Sequence, residues 1–376
     1  MGEKLNKVVV FFGGKSVERE VSVITGCQVI SKINPLLNKI YPVYINENGE
    51  FFYNENLQDI KSFKNLGDIK LKKVCLLPNC KTLFWNKRGK LKKIDDIDVS
   101  INCCHGTGGE DGSLAGLLNI AGIPSISPGV LAGAVSMDKV ASKIFFNGLH
   151  IKQIDYLTFS KTDFILNEQK LIDKVGSFGF PVVVKPCSLG SSVGVKFCRD
   201  AVDLKEALEV AFEFDSEVII ERGLENFDEF FCSAFSLNGE IKVSEIEKSG
   251  TKALLDFDEK YLVNKKRDFP AKINKALKTQ IQTLTKTAYK SLKCSGIIRV
   301  DFLFDKATKT LFVNEANVVP GSLALGFWAD RETLTDLIEK LMNQAKAKFT
   351  SNQKLQVNYS SNILENFESA SKNKLK

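Results

Sequence analysis

The chain has 376 residues, more than one hydrophobic core usually serves, and predicts two or three domains. Its composition, 44% hydrophobic, 26% charged and 10% aromatic, is that of a globular chain and excludes a disordered or fibrous one. The net charge of +7 comes from one segment: Lys61 to Lys93 holds eleven Lys/Arg against Asp68 alone, and the remainder carries 41 bases and 44 acids. That segment has no interleaved aromatic platform and no nucleic-acid module, so it reads as a solvated hairpin excursion, and no nucleic-acid partner is expected. No apolar run approaches the roughly 18 residues that a membrane helix needs, so no membrane partner is expected either. The first residues lack a signal-peptide layout, and the nine cysteines lack framework spacing. Both point to reduced thiols and a cytoplasmic location. Only His105 and His150 are histidine, which excludes sites built on several imidazoles.

In chain order, Val8 to Phe12 is a continuous apolar run of the kind a fully buried strand shows. Gly13 and Gly14 break it, and helical periodicity follows at Val21, Ile24 and Ile30. Tyr41 to Ile45 is the next predicted strand, and the basic excursion carries strand-like pieces at Val74 to Leu77 and Leu83 to Trp85. Ile97 to Cys103 returns to a buried strand, followed by a glycine-rich loop from His105 to Gly112 and a helix from Leu114 to Ala121. These elements predict an open βα sheet with polar loops at the strands' carboxyl ends, where ligands bind.

A second unit starts near Met137 with a helix to Asn147, then strands at Ile154 to Phe159, Pro181 to Lys185 and Val218 to Glu221, with a helix from Asp203 to Phe212. A third has strands at Phe230 to Leu237, Ile241 to Ile246, Ile297 to Phe304 and Thr310 to Asn317. Between them lie a polar loop, Lys248 to Pro270, and a helix ending at Leu292; a helix near Leu334 to Met342 closes the fold. The polar tail from Ser351 is expected to fray.

The strongest chemical signal is the last pair of strands. A hairpin symmetric about Thr308 sets Asp301 opposite Glu315 and Arg299 opposite Asn317, all four on one face, with Val300, Phe302, Phe304, Phe312 and Ala316 on the other. Opposed carboxylates repel unless a cation lies between them, and Asp, Glu and Asn oxygens suit magnesium. The same four residues also read as a surface network neutralised by Arg299. A second signal is Lys185 at the end of a buried run, followed by a loop containing Gly190, Ser191, Ser192 and Gly194. A buried lysine requires an anionic partner, and such a loop can turn backbone N–H groups onto phosphate; a plain turn is the alternative. The spacing is not that of the common P-loop. Cys103 and Cys104 read as buried small hydrophobes rather than nucleophiles.

Taken in order, Gly13 to Ser22, His105 to Gly112, Ser136 to Lys139, Lys185 with Ser188 to Gly194, Glu259 to Tyr261, and Arg299, Asp301 and Asn314 to Asn317 resemble one family. The chain resembles the D-alanine–D-alanine ligases of the ATP-grasp superfamily from Val8 to about Met342. The resemblance implies a three-domain ATP-grasp architecture, α/β overall and α+β in the ATP-grasp part, with an N-terminal Rossmann-like open sheet. The expected units are 1–130, with the basic excursion at 46–95, then 131–222, 223–350 and a tail at 351–376.

It further implies ADP-forming ligation of two D-alanines through an acyl phosphate, for peptidoglycan precursors, by a homodimer. By resemblance Asp301, Glu315 and Asn317 hold two magnesium ions, for which manganese substitutes. Lys139, Lys185, Ser191, Ser192 and Lys260 contact ATP phosphates, and Glu221, Arg222 and Glu229 lie on its adenine and ribose side. Arg299 and the Gly321 N–H form an oxyanion hole. Glu18, assisted by His105, takes the first D-alanine ammonium; Ser322 and Leu323 meet the second carboxylate. Glu18, Ser191 and Tyr261 form a hydrogen-bonded set beneath a lid spanning Lys248 to Pro270. Tyr261 favours an amine over D-lactate as second nucleophile; D-lactate and D-serine are the alternatives. Two departures from the family pattern are Arg222 where lysine is usual and Val318 where threonine is common.

Overall fold

The computed structural model describes residues 5–250, 268–331 and 333–356. The run Val8 to Phe12 becomes the buried strand β1 (Asn6–Gly13), parallel to β2 (Asn38–Ile45) on one side and β7 (Val99–Asn102) on the other. Beyond β2 the chain continues as an antiparallel meander, β3 (Phe51–Tyr53), β4 (Lys72–Cys75), β5 (Thr82–Lys87) and β6 (Lys90–Asp96), in a seven-stranded sheet ordered β6-β5-β4-β3-β2-β1-β7. The basic excursion is therefore more than a projecting hairpin: its strands widen the first sheet. Val74 and Leu83 are buried while the lysines stay outside, and Lys72 lies over the rings of Tyr53 and Trp85. The edge strand β6 presents Lys90, Lys92 and Lys93, charges that discourage pairing with another sheet. This gives the positive run a structural reason.

Helix α1 (Arg19–Ile30) follows the Gly13-Gly14 turn, and α2 (Ser113–Ala121) follows the glycine-rich loop. Next come α3 (Val130–Met137) and α4 (Lys139–Gly148), where Asp138 caps α4 by accepting from the Ala141 N–H at 2.8 Å. The second sheet is antiparallel, ordered β10 (Lys196–Cys198), β9 (Val182–Pro186), β11 (Glu217–Arg222) and β8 (Tyr156–Ser160). Helices α5 (Lys161–Phe178) and α6 (Ala201–Phe214) bury Val175, Leu204 and Leu208 against it.

The third sheet is ordered β13 (Glu240–Lys248), β12 (Phe227–Leu237), β14 (Ile297–Asp305) and β15 (Thr310–Asn317), and α7 (Lys275–Ser291) covers its apolar face. The last helix, α8 (Leu334–Gln353), runs past the predicted end at Met342 and includes Ser351 to Gln353, so the chain stays helical three residues into the tail expected to fray. Its Leu337, Ile338, Leu341 and Met342 share one core with Val8 and Val10 of the first sheet and Trp328 of the third unit. The carboxyl-terminal part thus packs back on the first sheet.

Candidate active site

The β14–β15 hairpin pairs Asp301 with Glu315 and Arg299 with Asn317, as period two requires. The register then slips by one: Phe302 faces Val313 and Leu303 faces Phe312, leaving Asn314 bulged. Hairpin symmetry about Thr308 consequently fails below Asp301. Leu311 and Val313 fill the core face with Val300 and Phe302, whereas Phe312 packs on the opposite side with Leu303 and Ile154. On the polar face, Arg299 donates to both Asp301 oxygens at 2.6 and 2.7 Å, and Asn317 Nδ2 lies 3.1 Å from Asp301 Oδ2 and 3.4 Å from Glu315 Oε1. Asp301 is buried. Arg299 thus neutralises Asp301, as the surface-network reading has it, while the two carboxylates and the Asn317 amide oxygen are hard-oxygen groups of the kind that suits a divalent cation such as magnesium.

The second sheet faces this hairpin with a buried ion triad. Lys185 on β9 and Glu221 on β11 lie on diagonal register positions of one face. Glu221 Oε2 is 2.5 Å from Lys185 Nζ, and its Oε1 is 2.7 Å from Lys143 Nζ on α4. Burial alone pushes the Glu221 carboxyl up, but the Lys185 and Lys143 ammonium groups overrule it and hold it at about 2. Burial also lowers Lys143 against the pull of Glu221. Lys185 reaches across to the bulged residue, donating to Asn314 Oδ1 at 3.4 Å.

Below the hairpin's exit lies the first unit's loop. Glu18, at the start of α1, is buried and accepts from the Ser191 hydroxyl. A Cβ at Gly190 would sit 2.7 Å from Glu18 Oε2, so a side chain there would displace the carboxylate. Ser191 and Ser192 take the left-handed conformation, with φ of 52° and 61°. His105 is buried, 2.8 Å from Thr25 Oγ1, and burial pulls its pKa down to about 4. Glu110 accepts from the Gly106 N–H at 3.3 Å and the Val319 N–H at 3.1 Å. Burial, with the Glu18 charge nearby, raises its pKa to about 8.

The remaining candidates fall as follows. Lys139 donates from Nζ to the Leu189 carbonyl, at the mouth of the Ser191 loop. Gly321 begins the turn after β15 and is exposed. The Ser322 N–H donates to Thr25 Oγ1 at 3.1 Å, while the Leu323 side chain is buried in the core, leaving only its backbone for a ligand. Arg222 is exposed and rests over Phe178 at 4.6 Å, 3.7 Å from Asp155. Glu229 lies on β12 opposite Leu303. Lys260 and Tyr261, with most of the expected lid, lie outside the described residues. Cys103 and Cys104 are fully buried with thiols pushed up by burial, so neither is a nucleophile.

Four residues that the sequence reading left without a role join the cluster: Thr25, Glu110, Lys143 and Asn314. Two had a legible signal. Lys143 stands one helical turn after Lys139, on the same face, and Glu110 stands inside the glycine-rich loop.

Comparison with known proteins identifies the family. The model described as "D-ala D-ala ligase N-terminus" matches residues 7–128, and "D-ala D-ala ligase C-terminus" matches 145–342. The D-alanine–D-alanine ligase of Thermosipho melanesiensis is 35% identical over 367 residues, covering 95% of this chain and 97% of its own. The solved structure of the D-alanine–D-alanine ligase from Helicobacter pylori superposes with a TM-score of 0.75 at 28% identity, covering 90% of this chain and 98% of its own. The VanG D-Ala:D-Ser ligase from Enterococcus faecalis gives a TM-score of 0.76 at 27% identity, covering 91% and 100%. With both halves matched in order and the ATP-grasp fold in place, the chain belongs to the D-alanine–D-alanine ligase family.

Proposed function

We propose that this protein joins two D-alanines at the expense of ATP, supplying D-alanyl-D-alanine for cell-wall synthesis. The observation that carries this reading is a chain of contacts: Glu18 meets Ser191, the Lys143–Glu221–Lys185 triad reaches Asn314 through Lys185, and Asp301 stands opposite Glu315 on the same hairpin. The γ-phosphoryl of ATP passes to a carboxylate oxygen of the first D-alanine, releasing ADP. The second D-alanine's amine attacks the carbonyl carbon of that acyl phosphate, loses a proton, and the tetrahedral intermediate expels phosphate. Catalysis of this kind is mainly positioning and charge neutralisation.

In this reading Glu18 takes the first ammonium, with His105 holding the adjoining wall. Lys139 and Lys185 bind phosphate oxygens, and the Ser191–Ser192 turn covers them. Glu221, Arg222 and Glu229 form the nucleoside side, Glu221 acting through the lysines that its carboxylate holds. Arg299 and the Gly321 N–H stabilise the developing oxyanion. Asp301, Glu315 and Asn317 would hold magnesium, or manganese in its place, which would supply neutralisation of phosphate charge. Lys260 and Tyr261 are assigned to the closing lid.

The units 1–130, 131–222 and 223–350 are proposed as domains because each contains one of the three sheets. Among the described residues no helix is long and apolar enough to cross a membrane, and a cytoplasmic homodimer with ATP and D-alanine as its small-molecule partners is proposed. The test is phosphate release by purified protein with ATP, magnesium and D-alanine. Release that is indifferent to omitting D-alanine contradicts the reading. D-serine is the second reading, favoured by the likeness to the VanG enzyme. Mass spectrometry of products from mixed D-alanine, D-serine and D-lactate separates them.

A further inference from the structure

Helix α1 carries a polar stripe that faces inward. Glu18, Ser22, Thr25 and Gln28 recur at three- and four-residue steps along one side, and the first three are 6%, 0% and 1% exposed. Buried polar groups of this kind persist only when hydrogen-bonded. Ser22 Oγ donates to the Cys103 carbonyl at 2.7 Å and accepts from the Gly13 N–H at 2.8 Å. Thr25 Oγ1 accepts from the Ser322 N–H at 3.1 Å and lies 2.8 Å from His105 Nε2. Gln28 Oε1 accepts from the Ser322 hydroxyl.

Ser322 opens an unusual segment. It, Leu323 and Ala324 have φ of 51°, 49° and 49°, consecutive left-handed residues without a glycine among them. Left-handed backbone is unfavourable for residues with a Cβ, and a run of it survives only where its surroundings impose it. Thr25 and Gln28 grip its first residue, and burial of the Leu323 and Ala324 side chains holds the rest.

We propose that Thr25 is a positioning residue for the second D-alanine: through the Ser322 N–H it fixes the left-handed turn beside Gly321, and through α1 it sets that turn at a constant distance from Glu18. The inference rests on the reading that Ser322 and Leu323 meet the acceptor's carboxylate. One rigid helix then carries the ammonium site of the first amino acid at its start and the anchor of the second site two turns later.

The test uses the full chain with Thr25→Val, which keeps the branched shape and deletes the hydroxyl, and Thr25→Ser, which restores it. D-Alanine-dependent ADP release by the parent comes first; its absence overturns the ligase reading and this inference with it. Given that release, Thr25→Val is expected to raise the acceptor KM about tenfold, equivalent to about 1.4 kcal/mol. The KM for ATP stays within about twofold, and Thr25→Ser returns the acceptor KM to within about twofold of the parent. An unchanged acceptor KM overturns the proposal. So does a parallel rise of both KM values with a lowered Tm, the signature of a merely structural residue.

Discussion

The Ser191 hydroxyl donates to the Glu18 carboxylate although 173 residues separate them in the chain. This bond joins the glycine/serine loop of the second sheet to the first helix. It depends on the absence of a side chain at Gly190, whose Cβ would lie 2.7 and 2.8 Å from the two Glu18 oxygens. Gly190→Ala therefore displaces the carboxylate while leaving the apolar core intact. The kcat/KM for the first D-alanine is expected to fall at least about tenfold, with Tm changed by no more than about 2 °C. Steady-state kinetics with a thermal melt check both; an unchanged kcat/KM contradicts the contact's role.

Glu221 is stabilised as an anion only because two ammonium groups flank it. Lys143→Met removes one of them from a buried site and leaves Lys185 as the sole partner of the described triad. Breaking a buried pair in this way costs about 3 kcal/mol. Urea unfolding measures it, and a loss below about 1 kcal/mol contradicts the triad's electrostatic account. Because Lys185 then carries the whole Glu221 charge, the KM for ATP is also expected to rise.

The carboxyl of Glu110 shifts from an ordinary value near 4.5 up to about 8. Between these values the folded state holds a proton that the unfolded state has lost, so stability falls as pH rises through that window. The stabilisation is full below about 4.5 and gone once the pH has passed about 8. His105 works oppositely at lower pH: with its pKa down at about 4 from 6.5, acid favours the unfolded chain. Comparing urea unfolding of the parent with Glu110→Gln from pH 5 to pH 8 isolates the first effect. The difference in unfolding free energy should decline steadily toward alkaline pH; a flat difference contradicts the raised value.

Much of this site could be read from residue order. The pairing of Asp301 with Glu315 follows from period two and a polar turn, and it stands in the structure. The bulge at Asn314 left no mark, because one extra residue in a strand has no composition of its own. It nonetheless moves Phe312 to the other face and turns Asn314 toward Lys185. Similarly, Lys185 was legible as a buried lysine needing an anion, but the identity of that anion was not. Glu221 reaches it by antiparallel pairing of β9 with β11, a long-range choice that local pattern does not encode. That the basic run joins the first sheet as β4, β5 and β6 has no signature in its charge, which does not distinguish a solvated hairpin from the exposed edge of a sheet. Thr25 is illegible for a related reason: a threonine inside a helical pattern gives no hint of the turn, 297 residues on, that it holds.

The opposed carboxylates of Asp301 and Glu315 are the feature on which the catalytic reading turns. Magnesium-dependent ADP release by Asp301→Asn, with far-UV circular dichroism as the folding control, tests it most directly. A fall in kcat of at least about a hundredfold at saturating ATP and D-alanine, with the spectrum unchanged, is expected from the proposed role of Asp301 in holding magnesium. Turnover within about threefold of the parent, at the same magnesium requirement, would contradict it.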